Sequence, residues 1–172
     1  MLTLLDVAPR EVWQHLRSAP GDGEAWECGV FRGDTAVMLA QVCGVRTLRL
    51  FDTFTGRPDK TAHDTGCSDS LFAETSLADV QALVPQAVYH VGVIPETFAG
   101  LEDARIAFAY VDLDLYQGTL DAVAFILPRL VPGGVMVVDD YLEPVVWPGV
   151  KLAVDALVPS VIVQGKRAII RR

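Results

Sequence analysis

The sequence predicts a doubly wound α/β fold, with a mostly parallel sheet closed by a C-terminal antiparallel hairpin. Three observations support this. Short apolar runs alternate with segments of helical periodicity. The runs are almost continuously apolar, as strands buried on both faces are. Acidic residues stand where the runs end: Glu27, Asp52, Asp112 and the pair Asp139-Asp140. In an open parallel sheet all strand C-termini reach one edge, where ligands bind. The expected arrangement is therefore Rossmann-like.

Taken in order, Pro9 suits the first turn of a helix whose Val12, Trp13 and Leu16 share a face. Residues 18–23 break it. A short strand is expected over Glu24–Cys28, a glycine-bounded loop over Gly29–Gly33, and an apolar helix over Asp34–Cys43. The second strand covers Thr47–Phe51. Residues 53–70 form a long polar loop, of a length that is usually functional or disordered. Ser76 and Asp79 form a capping pair ahead of a helix reaching Val84. A third strand follows at Ala87–Val91 and a short helix at Pro95–Leu101. The fourth strand is Ile106–Val111. A helix at Thr119–Leu130 is stopped by Val131-Pro132-Gly133-Gly134, and the fifth strand is Val135–Val138. Pro148–Leu157 is a helix. Val161–Val163 and Ala168–Ile170 flank a turn and read as the hairpin.

At 172 residues the chain is expected to be one domain, 1–172, with 1–23 as a short helical lead. The formal charge of −8 argues against nucleic acid or an anionic membrane as partner. No apolar run approaches the roughly 20 residues that span a bilayer, and the start lacks the basic segment of a signal peptide. Cys28, Cys43 and Cys67 show no CxxC spacing, which disfavours zinc or a disulfide framework and fits a reducing cytoplasm. Lys166, Arg167, Arg171 and Arg172 read as decoration of the hairpin.

Gly29 and Gly33 would let the backbone turn tightly against a ligand. Their G-x-x-x-G spacing is neither the dinucleotide fingerprint nor a P-loop. Glu27 puts a carboxylate where a pyrophosphate would lie, which favours a ligand with a cationic group, such as an amino acid moiety or a sulfonium. Asp52 stands where an acid accepts from ribose hydroxyls. Asp112, Asp139 and Asp140 could hold one hard divalent ion, Mg²⁺ before Ca²⁺ or Mn²⁺. Asp114 could be a further ligand, a base or a helix N-terminal charge. The alternative is that the glycines only make a turn and the acids are solvated strand ends and caps. His15, His63 and His90 are widely spaced; His63, in the polar loop, could act on a substrate, whereas His90 reads as structural.

Four motifs occur in sequence order: Glu-Cys-Gly-Val-Phe-Arg-Gly, Phe-Asp-Thr-Phe-Thr-Gly-Arg-Pro, Val-Asp-Leu-Asp-Leu-Tyr-Gln-Gly-Thr and Pro-Arg-Leu-Val-Pro-Gly-Gly-Val-Met-Val-Val-Asp-Asp-Tyr. Together, from about Glu24 to Ala156, they resemble the macrocin O-methyltransferase family, which methylates sugar hydroxyls of macrolide and related antibiotics. The resemblance implies S-adenosylmethionine as donor, Mg²⁺ at the acceptor hydroxyl, and a small hydroxylated acceptor, such as a sugar of a glycosylated natural product. By position, Glu27 with Gly29, Val30, Phe31, Arg32, Gly33 and Thr35 would hold the methionine part. Asp52, with Thr53 and Phe54, would hold the ribose and adenosine side. Asp112 would reach both cofactor and metal, and Asp139 and Asp140 would complete the metal site, an arrangement similar to that of catechol O-methyltransferase. Asp112 or Asp114 is the implied base. Tyr116, Tyr141 and Trp147 are candidate walls of the acceptor site. Family members usually carry more N-terminal helix, so the acceptor pocket is expected to be open or completed by a partner subunit, as in a homodimer. The loop Arg57–Ala73 is the expected acceptor contact. A non-catalytic binding or assembly protein on the same fold is the alternative. An NAD-dependent oxidoreductase is opposed by the missing G-x-G-x-x-G and the lack of a Tyr-x-x-x-Lys pair.

Overall fold

The computed structural model describes residues 10–56, 60–65 and 72–172. Residues 57–59 and 66–71, which include Cys67 and much of the loop expected to meet the acceptor, lie outside the described residues, as do residues 1–9. The elements are α1 (Arg10–Ser18), β1 (Glu24–Cys28), α2 (Asp34–Val42), β2 (Leu48–Asp52), α3 (Leu77–Leu83), β3 (Val88–Val91), β4 (Ile106–Val111), α4 (Tyr116–Ile126), β5 (Leu130–Val138), α5 (Pro148–Leu157), β6 (Ile162–Gln164) and β7 (Arg167–Arg171). Among the described residues no helix is long and apolar enough to cross a membrane.

The sheet order is β3-β2-β1-β4-β5-β7-β6. All pairs from β3 to β5 are parallel, whereas β7 is antiparallel to both β5 and β6. The chain steps outward one way from β1 to β3 and the other way from β4, so β1 and β4 flank the switch point where such sheets open a crevice.

Register brings the acids to that crevice. Cys28 pairs with both Phe51 and Val111, and Val111 with Val138. Gly29 N then donates to Phe51 O at 2.9 Å, Asp112 N to Cys28 O at 2.8 Å and Asp139 N to Val111 O at 2.8 Å. The last ladder bonds thus place Gly29, Asp52, Asp112 and Asp139 in one row across four strands.

The strands are held by a core on each face. β4 is buried at all six positions, because helices cover both sides. Ala25, Leu50, Tyr110 and Val137 pack with Leu16 of α1 and Leu39 of α2 on one face. Trp26, Phe51, Ala109 and Met136 pack with Val123 of α4 and Val154 of α5 on the other. Residues adjacent in sequence fall on opposite faces, as the pleat requires. Trp26 and Phe51 lie 4.8 Å apart, ring to ring. Each fully buried large side chain contributes about 1.5–3 kcal/mol.

Most boundaries shift by a residue or so, and those of α4 and β5 differ most from the expected ones. α4 begins at Tyr116, three residues before Thr119, because Asp64 Oδ1 accepts from Tyr116 N at 2.7 Å. The first amide is capped by a residue 52 positions away, so no local signal marks it. After α4, Leu127–Arg129 form a single 3-10 turn. β5 then starts at Leu130, and Val-Pro-Gly-Gly is carried inside it rather than ending the helix. Leu130 pairs with Ile106 before the register shifts to Phe108–Val135, so Pro132, which has no N–H to offer, sits in an exposed irregularity, while Gly133 N donates to Arg172 O at 2.9 Å.

Candidate functional site

The strand ends open into a cavity of about 930 Å³, in the size range of small-molecule sites. Glu27, Gly29, Asp52, Asp112, Asp139 and Asp140 line it, with Phe72 and Trp147 as apolar walls. Five non-glycine residues have left-handed backbone among those described, and four of them, Phe31, Phe72, Asp114 and Asp140, line this cavity. Such conformations cost about 1–3 kcal/mol each and persist where the surroundings dictate them.

At the end of β1, Glu27 is 1% exposed, and its Oε2 has no hydrogen-bond partner among the described residues. Burial, then the charge of Asp52, pushes its carboxyl well above the ordinary value. A buried acid in this state accepts a cationic donor readily. Cys28 beside it is buried, and its thiol is pushed far up by burial and by Glu27, so it is an inert packing group.

The next residues form the glycine loop. Gly29 has φ 89°, and a Cβ there would overlap the Asp112 carbonyl, so the closeness of β1 and β4 excludes any side chain. Gly33 has φ 84° and opens α2 without a side-chain cap. Thr35 is buried in the first turn. Arg32 also lines the cavity, and its guanidinium pairs with Glu74 at 3.0 Å in an exposed position.

Asp52 closes this loop. Its Oδ2 accepts from Val30 N at 2.7 Å and Phe31 N at 2.9 Å, and its Oδ1 from Phe54 N at 2.7 Å. The carboxylate expected to meet ribose hydroxyls is thus directed onto backbone amides of the loop. Thr53 lines the cavity and its hydroxyl donates to Gly56 O. Phe54, expected beside the cofactor, is instead a core side chain, 6.4 Å from the Tyr89 ring.

The acids of β4 and β5 divide into two sets. Asp112, Asp114 and Asp140 each offer an oxygen, all within 4.8 Å of one another. Burial, then Asp139, Asp114 and Asp140, pushes Asp112 well above the carboxylate range. Asp140 is also raised, by burial and by Asp139, against the opposing hydrogen bond from Lys166. An all-oxygen set this close suits a hard divalent ion. Asp139, expected with Asp112 and Asp140 at the metal, lines the same cavity but lies outside the closest trio, and its carboxylate is engaged by protein groups. It accepts from the Tyr110 hydroxyl, from Arg167 at 3.2 Å and from Asp140 N at 2.9 Å. The closest trio contains Asp114 beside the two expected residues Asp112 and Asp140.

Two further sets were not legible as site residues. Lys166 and Arg167, read as hairpin decoration, line the cavity, because β7 inserts between β5 and β6 and brings the turn level with Asp139 and Asp140. Lys166 pairs with Asp140, and Arg167 with Asp139. Asp64 is 3% exposed and anchors the long loop to α4, with the His63 ring 4.2 Å from that of Tyr116. His63 and Tyr116 do not line the cavity. His90 stacks on Phe51 at 4.5 Å beside Arg49, a packing position, and His15 bonds Gln164 at 2.8 Å.

Comparison with known proteins matches residues 10–158 to the family described as macrocin-O-methyltransferase (TylF). The 8-demethyl-8-(2,3-dimethoxy-alpha-L-rhamnosyl)-tetracenomycin-C 4′-O-methyltransferase of Streptomyces olivaceus is 28% identical over 138 residues, covering 69% of this chain and 53% of that protein. The mycinamicin III 3″-O-methyltransferase of Micromonospora griseorubida is 29% identical over 143 residues, covering 71% and 56%. The chain therefore spans about half the length of these curated relatives. The solved structure of the O-methyltransferase NovP superposes with a TM-score of 0.78 over 94% of this chain and 78% of its own, at 23% identity, which shows a shared fold.

Proposed function

The chain belongs to the macrocin O-methyltransferase family, and from that premise we propose that it is an S-adenosylmethionine-dependent, Mg²⁺-assisted O-methyltransferase acting on a sugar hydroxyl of a small glycosylated molecule. One juxtaposition carries this reading. The unpartnered buried oxygen of Glu27 and the Asp112–Asp114–Asp140 trio face the same cavity from adjacent strands. The first fits the ammonium of the methionine moiety and the second fits a divalent ion. The names of the two curated relatives, each an O-methyltransferase of a glycosylated compound, support the acceptor class.

Bound S-adenosylmethionine supplies an electrophilic methyl group on a sulfonium. The transfer is an in-line displacement, so the protein's main task is alignment. Glu27 fixes the amino acid end through a charged hydrogen bond. The Gly29–Gly33 loop, held shut by Asp52, offers backbone without side chains at the closest approach. Asp112, Asp114 and Asp140 would hold Mg²⁺ through one oxygen each, and the ion would supply Lewis-acid activation of the acceptor hydroxyl. The remaining oxygen of Asp112 or Asp114 takes the hydroxyl proton as the oxygen–methyl bond forms, so the positive charge lost from sulfur is balanced by a proton on a carboxylate. Phe72 and Trp147, 6.2 Å apart ring to ring, give the cavity an apolar wall that limits water.

Calorimetric titration with S-adenosylhomocysteine tests the cofactor half, with NADH as control, in Mg²⁺ and in EDTA. Micromolar binding of the homocysteine product alone is expected, and Glu27→Ala should weaken it about tenfold or more, the weight of a charged hydrogen bond. Absence of binding would remove Glu27 and the glycine loop from a cofactor site. Transfer of labelled methyl to a panel of rhamnosylated aglycones, lost in EDTA, tests the acceptor and metal.

A further inference from the structure

Lys166 stands where the proposed metal chemistry needs no cation of the protein's own. Its ammonium pairs with Oδ1 of Asp140, a residue of the proposed metal trio, and lies 3.6 Å from Asp139 Oδ1. The backbone beneath it is fixed: Gly165 makes the β6–β7 turn with φ 61°, and Leu142 N donates to Lys166 O at 2.9 Å. The neighbouring Arg167 is 12% exposed in its side chain and locks Asp139, whereas the Lys166 side chain is 39% exposed and has a route to solvent along its flexible stem. One cation of the pair is built in and the other can move.

We propose that Lys166 is a built-in competitor of the metal ion: its ammonium neutralises Asp140 in the metal-free protein and must swing to solvent before a divalent ion can bind between Asp112, Asp114 and Asp140. An ammonium and a divalent cation held on the same buried carboxylate repel each other strongly, whichever oxygen each takes. Two consequences follow. The free protein binds divalent ions weakly, and it does not need one to remain folded. The sequence shows why this chain carries the device: the run Gln-Gly-Lys-Arg puts Lys166 in the turn and Arg167 at the first residue of β7, and the sheet order delivers both to the strand ends.

The proposal rests on the reading of the trio as a divalent-ion site, and the test separates the two. Mn²⁺ is titrated into cofactor-free wild type, Lys166→Met and Lys166→Arg, and the free ion is followed by electron paramagnetic resonance. Lys166→Met should bind Mn²⁺ about tenfold more tightly than wild type, since it removes one partly desolvated ion pair from the competition. Lys166→Arg keeps the cation and should stay near wild type. In EDTA the Met variant should melt below wild type and recover with Mg²⁺, while wild type responds little. Should the Met variant not fold, Lys166→Gln carries the same comparison. Equal Mn²⁺ affinity in wild type and the neutral variant overturns the role of Lys166 and leaves the metal site standing. No Mn²⁺ binding in any of the proteins overturns the metal site and this proposal with it. Binding of S-adenosylhomocysteine in EDTA, which needs no ion, reports on the methyltransferase reading independently of the metal.

Discussion

Glu27 is a carboxyl group held in a place that disfavours its charge. Its folded value lies above the ordinary 4.5, so on titration the unfolded chain releases its proton first. The resulting penalty to stability is absent below that ordinary value, grows as pH rises toward the folded value, and is constant above it. Glu27→Gln keeps the shape but cannot ionise. The ligand-free variant is expected to melt above wild type, by a margin that widens as pH rises past the ordinary carboxylate value, at roughly 2–4 °C per kcal/mol for a chain of this size. It should also bind S-adenosylhomocysteine more weakly. A margin that is flat with pH in scanning calorimetry would mean that Glu27 is already ionised without a ligand. Asp139 and Asp140 are adjacent yet not equivalent. Asp139→Asn takes the charge from a 6% exposed carboxylate that holds Tyr110 and Arg167, and should cost about 3 kcal/mol in urea unfolding, as breaking a buried pair does. Asp140→Asn loses a partner, Lys166, that reaches solvent, and should leave stability nearly unchanged while abolishing Mn²⁺ binding. Similar unfolding curves for the two variants would contradict this division.

At the scale of the elements, Asp64 anchors the loop between β2 and α3 to α4. Asp64 Oδ1 caps α4 at Tyr116, and its Oδ2 accepts from Thr61 N and from the Thr61 hydroxyl, both at 2.8 Å. Gly149 of α5 leaves room for it, since a Cβ there would overlap Asp64 Oδ1. Asp64→Ala is expected to cost about 1–2 kcal/mol, the loss of a helix cap. It should also speed proteolysis between residues 60 and 65 and raise amide exchange at Tyr116. Unchanged exchange there would show that the cap does not hold the loop. The same residue marks what the sequence could reveal. β4 and the Val135–Val138 part of β5 were legible because strands buried on both faces read as unbroken apolar runs, and the acids that follow them mark the ligand edge. The start of α4 was not, because its cap comes from Asp64. Nor was the continuation of β5 through Pro132 and Gly133, because it depends on a register shift against β4 and on a bond from Gly133 N to Arg172 O at the far end of the chain. The place of Asp114 in the closest trio, and the pairing of Lys166 and Arg167 with the acids, depend on backbone direction and strand order rather than on spacing along the chain.

At the scale of the whole molecule, the charge is −8, and the carboxylates are concentrated rather than spread. Nine carboxylates and three cationic side chains line the one cavity. Low-dielectric walls focus such a field into the cleft. The effect differs between the two forms of the proposed cofactor. S-adenosylmethionine carries a sulfonium that S-adenosylhomocysteine lacks, while both have the same ammonium and carboxylate. The field therefore favours the donor over the product, which opposes product inhibition and helps the spent cofactor leave. Salt should weaken this preference, because the cavity mouth is open to ions and the Debye length falls from about 20 Å near 20 mM to about 6 Å near 300 mM. Titrations of both ligands at the two ionic strengths are expected to give a donor-to-product affinity ratio above one at low salt that falls several-fold at high salt. Asp121, at the rim of the cavity and exposed on α4, gives a local check. Asp121→Asn should reduce the low-salt ratio slightly and leave the high-salt ratio unchanged. A ratio indifferent to salt would mean that the sulfonium is read by short contacts alone, with the field of the acidic edge playing no part.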